Sequence, residues 1–294
     1  MSDAATLDKR HVKRSFERAA ERYDAAAVLQ HEVCRRMLGR LEYIQLRPSA
    51  VLDAGSGTGN ALTALMARYP GTPIVAVDLA HAMLDRGRRR LRWWQTLPGL
   101  RPPLYPVCAD VERLPIAAGA VGLVWSNLTL QWLNDLPRAF AETHRALAPG
   151  GLLMFSTFGP DTLKELKRAY EGTDHRAHVN RFVDMHDIGD MLVAAGYADP
   201  VMDMEPFTLT YDNVRALMRD LKAIGAHNVM RGRPAGLSGK STLKTVERNY
   251  EAFRREGRLP ATFEVIYGHA WKPQPRVSPT GRRVIDIKAV NGER

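Results

Sequence analysis

The stretch Asp53-Ala54-Gly55-Ser56-Gly57-Thr58-Gly59 constrains this chain more than any other. It stands where a short apolar run over 51–53 gives way to helical spacing over 61–68. Glycines at alternate positions let the backbone turn tightly and let a ligand approach with no Cβ in the way. The texture repeats downstream: apolar runs over 74–78, 104–109, 121–126 and 152–157 alternate with helical spacing over 81–94 and 136–147. Strands separated by helices build an α/β domain with a doubly wound, mainly parallel sheet, whose ligand site lies at the carboxyl ends of the strands near the switch in strand order.

The glycine loop narrows the ligand. A dinucleotide fingerprint requires glycine or alanine at position 60, which is Asn60, and no Gly-Lys-Ser/Thr follows to make a phosphate-binding P-loop. A carboxylate at Asp53 repels a pyrophosphate and favours the amino and sulfonium charges of S-adenosylmethionine. Asp78 closes the second strand, where an acid accepts hydrogen bonds from two vicinal ribose hydroxyls. Asp110 ends the third and is placed to accept from an adenine amino group. Gly55, Gly57, Gly59, Leu79, Met83, Val111 and Asn127 complete the expected cofactor contacts.

Around this core the chain divides into a helical segment over 1–46, the core over 47–211, a helical insertion over 212–261, a final core strand over 262–271 and a polar tail over 272–294 read as disordered. Residues 9–41 read as helical, in a first run to Tyr23 and a second from Val28; helices are expected over 160–171 and 184–195, and a strand over 206–211. Two cysteines, Cys34 and Cys108, make no disulfide framework, and no Cys/His cluster has metal-ligand spacing. No apolar run approaches the roughly 20 residues of a membrane span, so a soluble, cytoplasmic protein with no membrane partner is expected. Lys plus Arg, 42, exceed Asp plus Glu, 32, a net charge of +10 that attracts polyanions without choosing among them.

The segments Val51 to Gly59, Val77-Asp78, Cys108-Ala109-Asp110-Val111 and Leu147-Ala148-Pro149-Gly150-Gly151 resemble the class I S-adenosylmethionine-dependent methyltransferases. That resemblance implies a Rossmann-like, mainly parallel seven-stranded sheet. Three further stretches, Arg14-Ser15-Phe16 with Ala19-Ala20 and Tyr23-Asp24, Ser126-Asn127-Leu128 with Leu130-Gln131-Trp132, and Phe158-Gly159-Pro160-Asp161-Thr162-Leu163, look like the malonyl-[acyl-carrier protein] O-methyltransferases of biotin synthesis. The likeness continues through His178-Val179-Asn180-Arg181-Phe182 and Gly257-Arg258-Leu259-Pro260, and spans residues 10–272. It implies methylation of the free carboxylate of a malonyl thioester on acyl carrier protein or coenzyme A. A carboxylate with pKa near ~4 is already ionised at pH 7, so no general base is required. Accordingly, no compelling Ser/His/Asp or paired-carboxylate set stands out in the sequence.

The resemblance makes the N-terminal helix a lid, with Tyr23 over the site of methyl transfer; the competing reading makes Tyr23 and Phe16 core aromatics. Gln131 and Trp132 follow the fourth strand, where such enzymes place the acceptor, and Trp132 either walls off water or packs helix against sheet. For the malonyl carboxylate, Arg181 is the first candidate cation and Lys222 the second, against the alternative that both are solvated. Arg215, Arg219, Lys222, Arg231, Arg233 and Lys240 concentrate in the insertion, either to dock an acidic carrier or as a solvated face. Arg86, Arg88, Arg89, Arg90 and Arg92 read as a solvated face or a nonspecific polyanion patch. Two other activities share the scaffold: methylation of a small free acid such as aconitate, and a cofactor-binding assembly factor or hydroxylase. A nucleic-acid partner is not expected, since no RNA-binding module is recognisable, and a monomer is expected.

Overall fold

The computed structural model describes residues 6–90, 103–173, 178–226 and 240–275. The strands are β1 (Val51–Ala54), β2 (Ile74–Asp78), β3 (Leu104–Cys108), β4 (Val121–Asn127), β5 (Leu147–Phe158), β6 (Ala198–Tyr211) and β7 (Leu259–Trp271). They form one sheet in the order β3-β2-β1-β4-β5-β7-β6, with β7 antiparallel to both neighbours and the other pairs parallel. Strand order reverses between β1 and β4, and the parallel register brings Ala54, Asp78 and Asn127 to the same edge.

Ten α-helices are described: α1 (Lys9–Ala19), α2 (Tyr23–Ala26), α3 (Val28–Leu41), α4 (Leu62–Arg68), α5 (His81–Arg90), α6 (Leu136–Ala146), α7 (Lys164–Tyr170), α8 (Met185–Ala194), α9 (Val214–Ala223) and α10 (Lys240–Glu251). The side-chain alternation of β1 divides the core. Val51 joins Val33, Met37, Leu65 and Tyr250 on the face covered by α3, α4, α7, α9 and α10, whereas Leu52 and Ala54 join Phe140, Ile188 and Leu192 on the face covered by α6 and α8. Burial on both faces explains why β1 and β4 read as continuous apolar runs rather than alternating ones.

Several boundaries differ from the sequence reading for identifiable reasons. The two helical runs expected over 9–41 are α1 and α3, with the short α2 between them. Asp24 accepts a hydrogen bond from Thr58 Oγ1 and faces Arg86 and Arg90, so the chain here follows the glycine loop rather than a single helix axis. β6 begins at Ala198 rather than 206; as an edge strand it alternates between half-buried and exposed positions, and it accommodates Pro206, which lacks a ladder donor. β5 runs from Leu147 through the Pro149-Gly150-Gly151 stretch that resembles a turn, and the Gly150 N–H donates to the Lys272 carbonyl. β7 begins at Leu259 rather than 262 because it pairs with Tyr211. α7 starts at Lys164 rather than 160; the preceding turn is caught by Glu264, which accepts from the Asp161 N–H at 2.6 Å. The expected helix over 81–94 is described to Arg90; 91–94 and the tail beyond 275 lie outside the described residues.

Candidate active site

A cleft with about 630 Å³ of empty space opens at the carboxyl edge of the sheet. Of the sequence-predicted cofactor residues, Gly55, Gly57, Asp78, Leu79, Met83, Asp110, Val111 and Asn127 line it, together with Tyr23 and Trp132. Gly55 has φ +80°, and a Cβ there would collide with the Thr129 side chain; Gly57 has φ +54° and nothing within 4 Å of the Cβ it lacks. The loop therefore leaves an open cradle at Gly57. Gly59 lies outside the lining: its missing Cβ would come 2.7 Å from Leu62 Cδ1 and 3.3 Å from Gly87 Cα, so it seats the loop against α4 and α5.

Asp78 holds the loop by accepting from the Gly57 N–H at 2.9 Å and the Ala80 N–H at 2.8 Å. Burial raises its pKa to about 6, against the pull of those backbone donors. Each oxygen retains a lone pair for a further donor. Asp110 caps the 3-10 turn Val111–Arg113, accepting from the Glu112 N–H at 3.0 Å.

Behind the cleft lies a second lobe lined by Tyr23, Gln30, His31, Cys34, Asp53 and Trp125 among others. Three buried polar atoms there have no partner: His31 Nε2, Asp53 Oδ2 and Trp125 Nε1. Burial first, then the charge of Asp78, raises the Asp53 carboxyl to about 8. Buried polar atoms without partners are costly, and their grouping marks a place built for a polar ligand. A cation beside Asp53 and acceptors facing His31 and Trp125 match the zwitterionic end of S-adenosylmethionine. Its ribose suits Asp78, and Leu79, Met83 and Val111 offer apolar surface to its base. The residues fit the cofactor.

The N-terminal segment closes over the cleft through contacts far apart in sequence. Lys9 Nζ lies 3.0 Å from Asp110 Oδ1 and 3.1 Å from Glu112 Oε1. Glu17 accepts from the His81 and Ala82 N–H groups at the start of α5, at 2.8 and 3.1 Å. Val12 and Phe16 line the cleft from above, and the Phe16 ring meets Trp132 edge-on at 5.2 Å. Tyr23 stands where the two lobes join, and burial with the nearby carboxylates Asp78 and Asp24 pushes its phenol pKa up, so it stays protonated.

Trp132 is also a wall of a second chamber, lined by Gln131, Phe158, Thr162, Leu163, Leu166, His178, Val179, Asn180, Phe182, Leu221, Ile224, Ala226 and Phe263. No Lys, Arg, Asp or Glu is among these described lining residues. Gln131 is held by its own bonds, donating from Nε2 to the Leu128 carbonyl at 2.6 Å and accepting from Thr157 Oγ1 at 3.2 Å. Arg181 and Lys222 are exposed and line neither chamber, although each directly neighbours a lining residue in the chain. Asn127 spends its amide on structure, donating to the Gln30 carbonyl at 3.1 Å and accepting from Ser156 Oγ at 2.9 Å. Arg231, Arg233 and the side chain of Lys240 lie outside the described residues.

Residues 52–155 match the family described as a methyltransferase domain. The malonyl-[acyl-carrier protein] O-methyltransferase of Gallionella capsiferriformans (strain ES-2) is 58% identical over 279 residues, covering 95% of this chain and 96% of its own length. That of Methylovorus sp. (strain MP688) is 56% identical over 288 residues, covering 98% and 97%. The chain belongs to the malonyl-[acyl-carrier protein] O-methyltransferase family. Among solved structures, the YcgJ protein of Bacillus subtilis is 16% identical with a TM-score of 0.57, covering 83% of this chain and 99% of that one. This likeness is one of fold alone.

For this member of the family, sequence reasoning missed several site residues. Leu128 and Leu163 adopt left-handed backbone, φ +50° and +56°, and each lines a chamber. Leucine gives no signal for that conformation, which costs of order 1 kcal/mol or more and is held by its surroundings. Here Leu128 N donates to Ser156 Oγ at 3.0 Å, and Leu163 N donates to the Thr262 carbonyl at 2.6 Å. His31, Trp125 and Lys9 stand in no motif of the sequence. The acid Asp110 that Lys9 meets could have suggested an ion pair, but not which cation supplies it.

Proposed function

We propose that the protein transfers a methyl group from S-adenosylmethionine to the free carboxylate of a malonyl thioester, carried on acyl carrier protein or coenzyme A, giving the methyl ester in an early step of biotin synthesis. When bound, the cofactor supplies an electrophilic methyl on its sulfonium. The chain's own work is placement. Asp53, His31 and Trp125 anchor the charged end, Asp78 holds the ribose, and Asp110 with Leu79, Met83 and Val111 receives the base. α1 acts as the lid, and Tyr23 and Phe16 cover the methyl group and the attacking oxygen and exclude water. A carboxylate nucleophile arrives ionised, so alignment and desolvation are what the site must provide. Tyr23, with its raised pKa, is a poor base and a suitable neutral cover.

The observation that carries the substrate reading is the apolar second chamber, which meets the cofactor cleft at Trp132. A thioester arm is uncharged and sheds little hydration there, whereas a free di- or tricarboxylate would bury charges with no lining Lys or Arg to meet them. This favours the thioester over an aconitate-type acid. From their exposed positions beside the chamber, Arg181 and Lys222 act on the carrier or at the rim rather than inside. The enzyme works as a monomer in the cytoplasm; among the described residues no helix is long and apolar enough to cross a membrane.

The test is incubation with methyl-labelled S-adenosylmethionine and a panel of malonyl-acyl carrier protein, malonyl-coenzyme A, malonate, aconitate and tRNA. Base-labile label on the two malonyl thioesters alone is expected. Label on aconitate or tRNA without label on either thioester would overturn the reading.

A further inference from the structure

The second chamber contains one feature that its apolar character does not explain. Asn180 lines it, and the Asn180 Oδ1 atom is buried without a hydrogen-bond partner. Its neighbours in the lining are apolar or already engaged. Gln131 has both ends of its amide bonded, His178 is stacked on Tyr170 with ring centroids 3.8 Å apart, and Phe182 packs edge-on to Phe158 at 5.8 Å. Among the described residues, none supplies a donor to this oxygen. A buried acceptor left unmatched is costly, and a ligand carrying an N–H in the right place recovers that cost.

We infer that Asn180 Oδ1 accepts a hydrogen bond from an amide N–H of the pantetheine-type arm that bears the acyl thioester, and thereby selects amide-bearing thioesters over simple ones. The inference rests on the reading above that the arm lies in this chamber. The chemistry agrees in kind: such an arm is uncharged and largely aliphatic, and its secondary amides are donors able to satisfy a lone carbonyl oxygen in apolar surroundings. Free acids and plain alkyl thioesters carry no N–H. A site built around one unmatched acceptor discriminates strongly against ligands that lack the donor, because the acceptor then stays unpaired. Arms on the carrier protein and on coenzyme A present the same group, so Asn180 recognises the arm and not its carrier.

Two small probes isolate the effect: the malonyl thioester of N-acetylcysteamine, and its isostere the malonyl 2-acetoxyethyl thioester, in which oxygen replaces the N–H. Wild type should favour the amide probe in kcat/KM by roughly tenfold, the scale of one hydrogen bond to a buried group. The preference should appear in KM with kcat nearly unchanged, since the contact is present in ground and transition states alike. Asn180→Leu, close in volume and without polar atoms, should erase the preference by raising KM for the amide probe while sparing or improving the ester probe. Asn180→Ala should erase it too. Neither change should weaken S-adenosylhomocysteine binding by calorimetry, and Asn180→Leu should not lower the melting temperature, because it removes an unmatched polar atom. Equal losses on both probes, or no preference in wild type, would overturn the assignment. Turnover of malonyl-acyl carrier protein with neither probe methylated would overturn it as well; if wild type methylated no malonyl thioester, on carrier protein or on coenzyme A, the function reading itself would fall, and this inference with it.

Discussion

Cofactor binding at neutral pH should release close to one proton, and Asp53 should be its source. In the ligand-free protein, burial and the neighbouring Asp78 hold the Asp53 carboxyl at about 8, so at pH 7 about 90% of molecules carry the proton. An ammonium group seated against Asp53 favours the ionised form, and the proton must leave as the cation arrives. Asp78, at about 6, is about 10% protonated at pH 7 and adds little. The association constant for S-adenosylhomocysteine should thus rise nearly tenfold between pH 6 and pH 7. It should level off above about pH 8, where Asp53 is already ionised before the ligand arrives. Titration calorimetry at pH 7 in phosphate and in Tris, whose ionisation enthalpies differ, measures the release directly. Asp53→Asn should abolish the buffer dependence and flatten the pH profile. The sign for folding is opposite: because the folded chain retains a proton that the unfolded chain loses near pH 4, the apo-protein's stability should fall as pH rises from about 4 to about 8. Buffer-independent binding enthalpy in wild type, or unchanged proton release in Asp53→Asn, would refute the reasoning.

Removing the Lys9 ammonium leaves Asp110 and Glu112 facing each other under the lid. Lys9→Ala should speed S-adenosylhomocysteine release about fivefold in stopped flow, the effect of about 1 kcal/mol from a partly buried pair. Gly55→Ala combines a positive φ with a collision against Thr129 and should abolish cofactor binding by calorimetry while lowering the melting temperature. Arg219 is exposed on α9, whereas its neighbour Arg215 pairs with Glu247. Arg219→Glu should slow association with malonyl-acyl carrier protein and flatten its dependence on salt, leaving turnover of malonyl-coenzyme A near normal. Loss on both substrates alike would assign the α9 charges to folding instead.

What the sequence disclosed about the site follows from where regular structure ends. Asp53, Asp78 and Asp110 were legible because a doubly wound sheet brings its carboxyl strand ends together, and the three glycines because their spacing has a steric meaning. Gly59 was read as a ligand contact for the same reason, yet it packs on Leu62 and Gly87, since spacing does not say which glycine faces the cleft. β6 starts upstream of its apolar spacing because a half-exposed edge strand has no apolar run to betray it. The second chamber was illegible as a whole: its lining comes from the turn after β4, from α7, from the link before α8, from α9 and from β7, and only the fold brings these together. Arg181 and Lys222 were plausible from their position in the chain, but sequence position does not determine which way a side chain points, and both are exposed. Lys9 and Asp110 meet across 101 positions, a pairing with no local signal.

The most direct test is a crystal structure of the enzyme with S-adenosylhomocysteine and a non-hydrolysable malonyl-pantetheine analogue. The nucleoside should lie against Asp78 and Asp110, and the ammonium against Asp53. The arm should thread the chamber lined by Phe158, Leu166 and Phe182, with the malonyl carboxylate beside Trp132 pointing at the cofactor sulfur. An arm bound instead along the arginine-rich face of α5, with the chamber empty and the carboxylate remote from Trp132, would show that the two chambers do not form one active site.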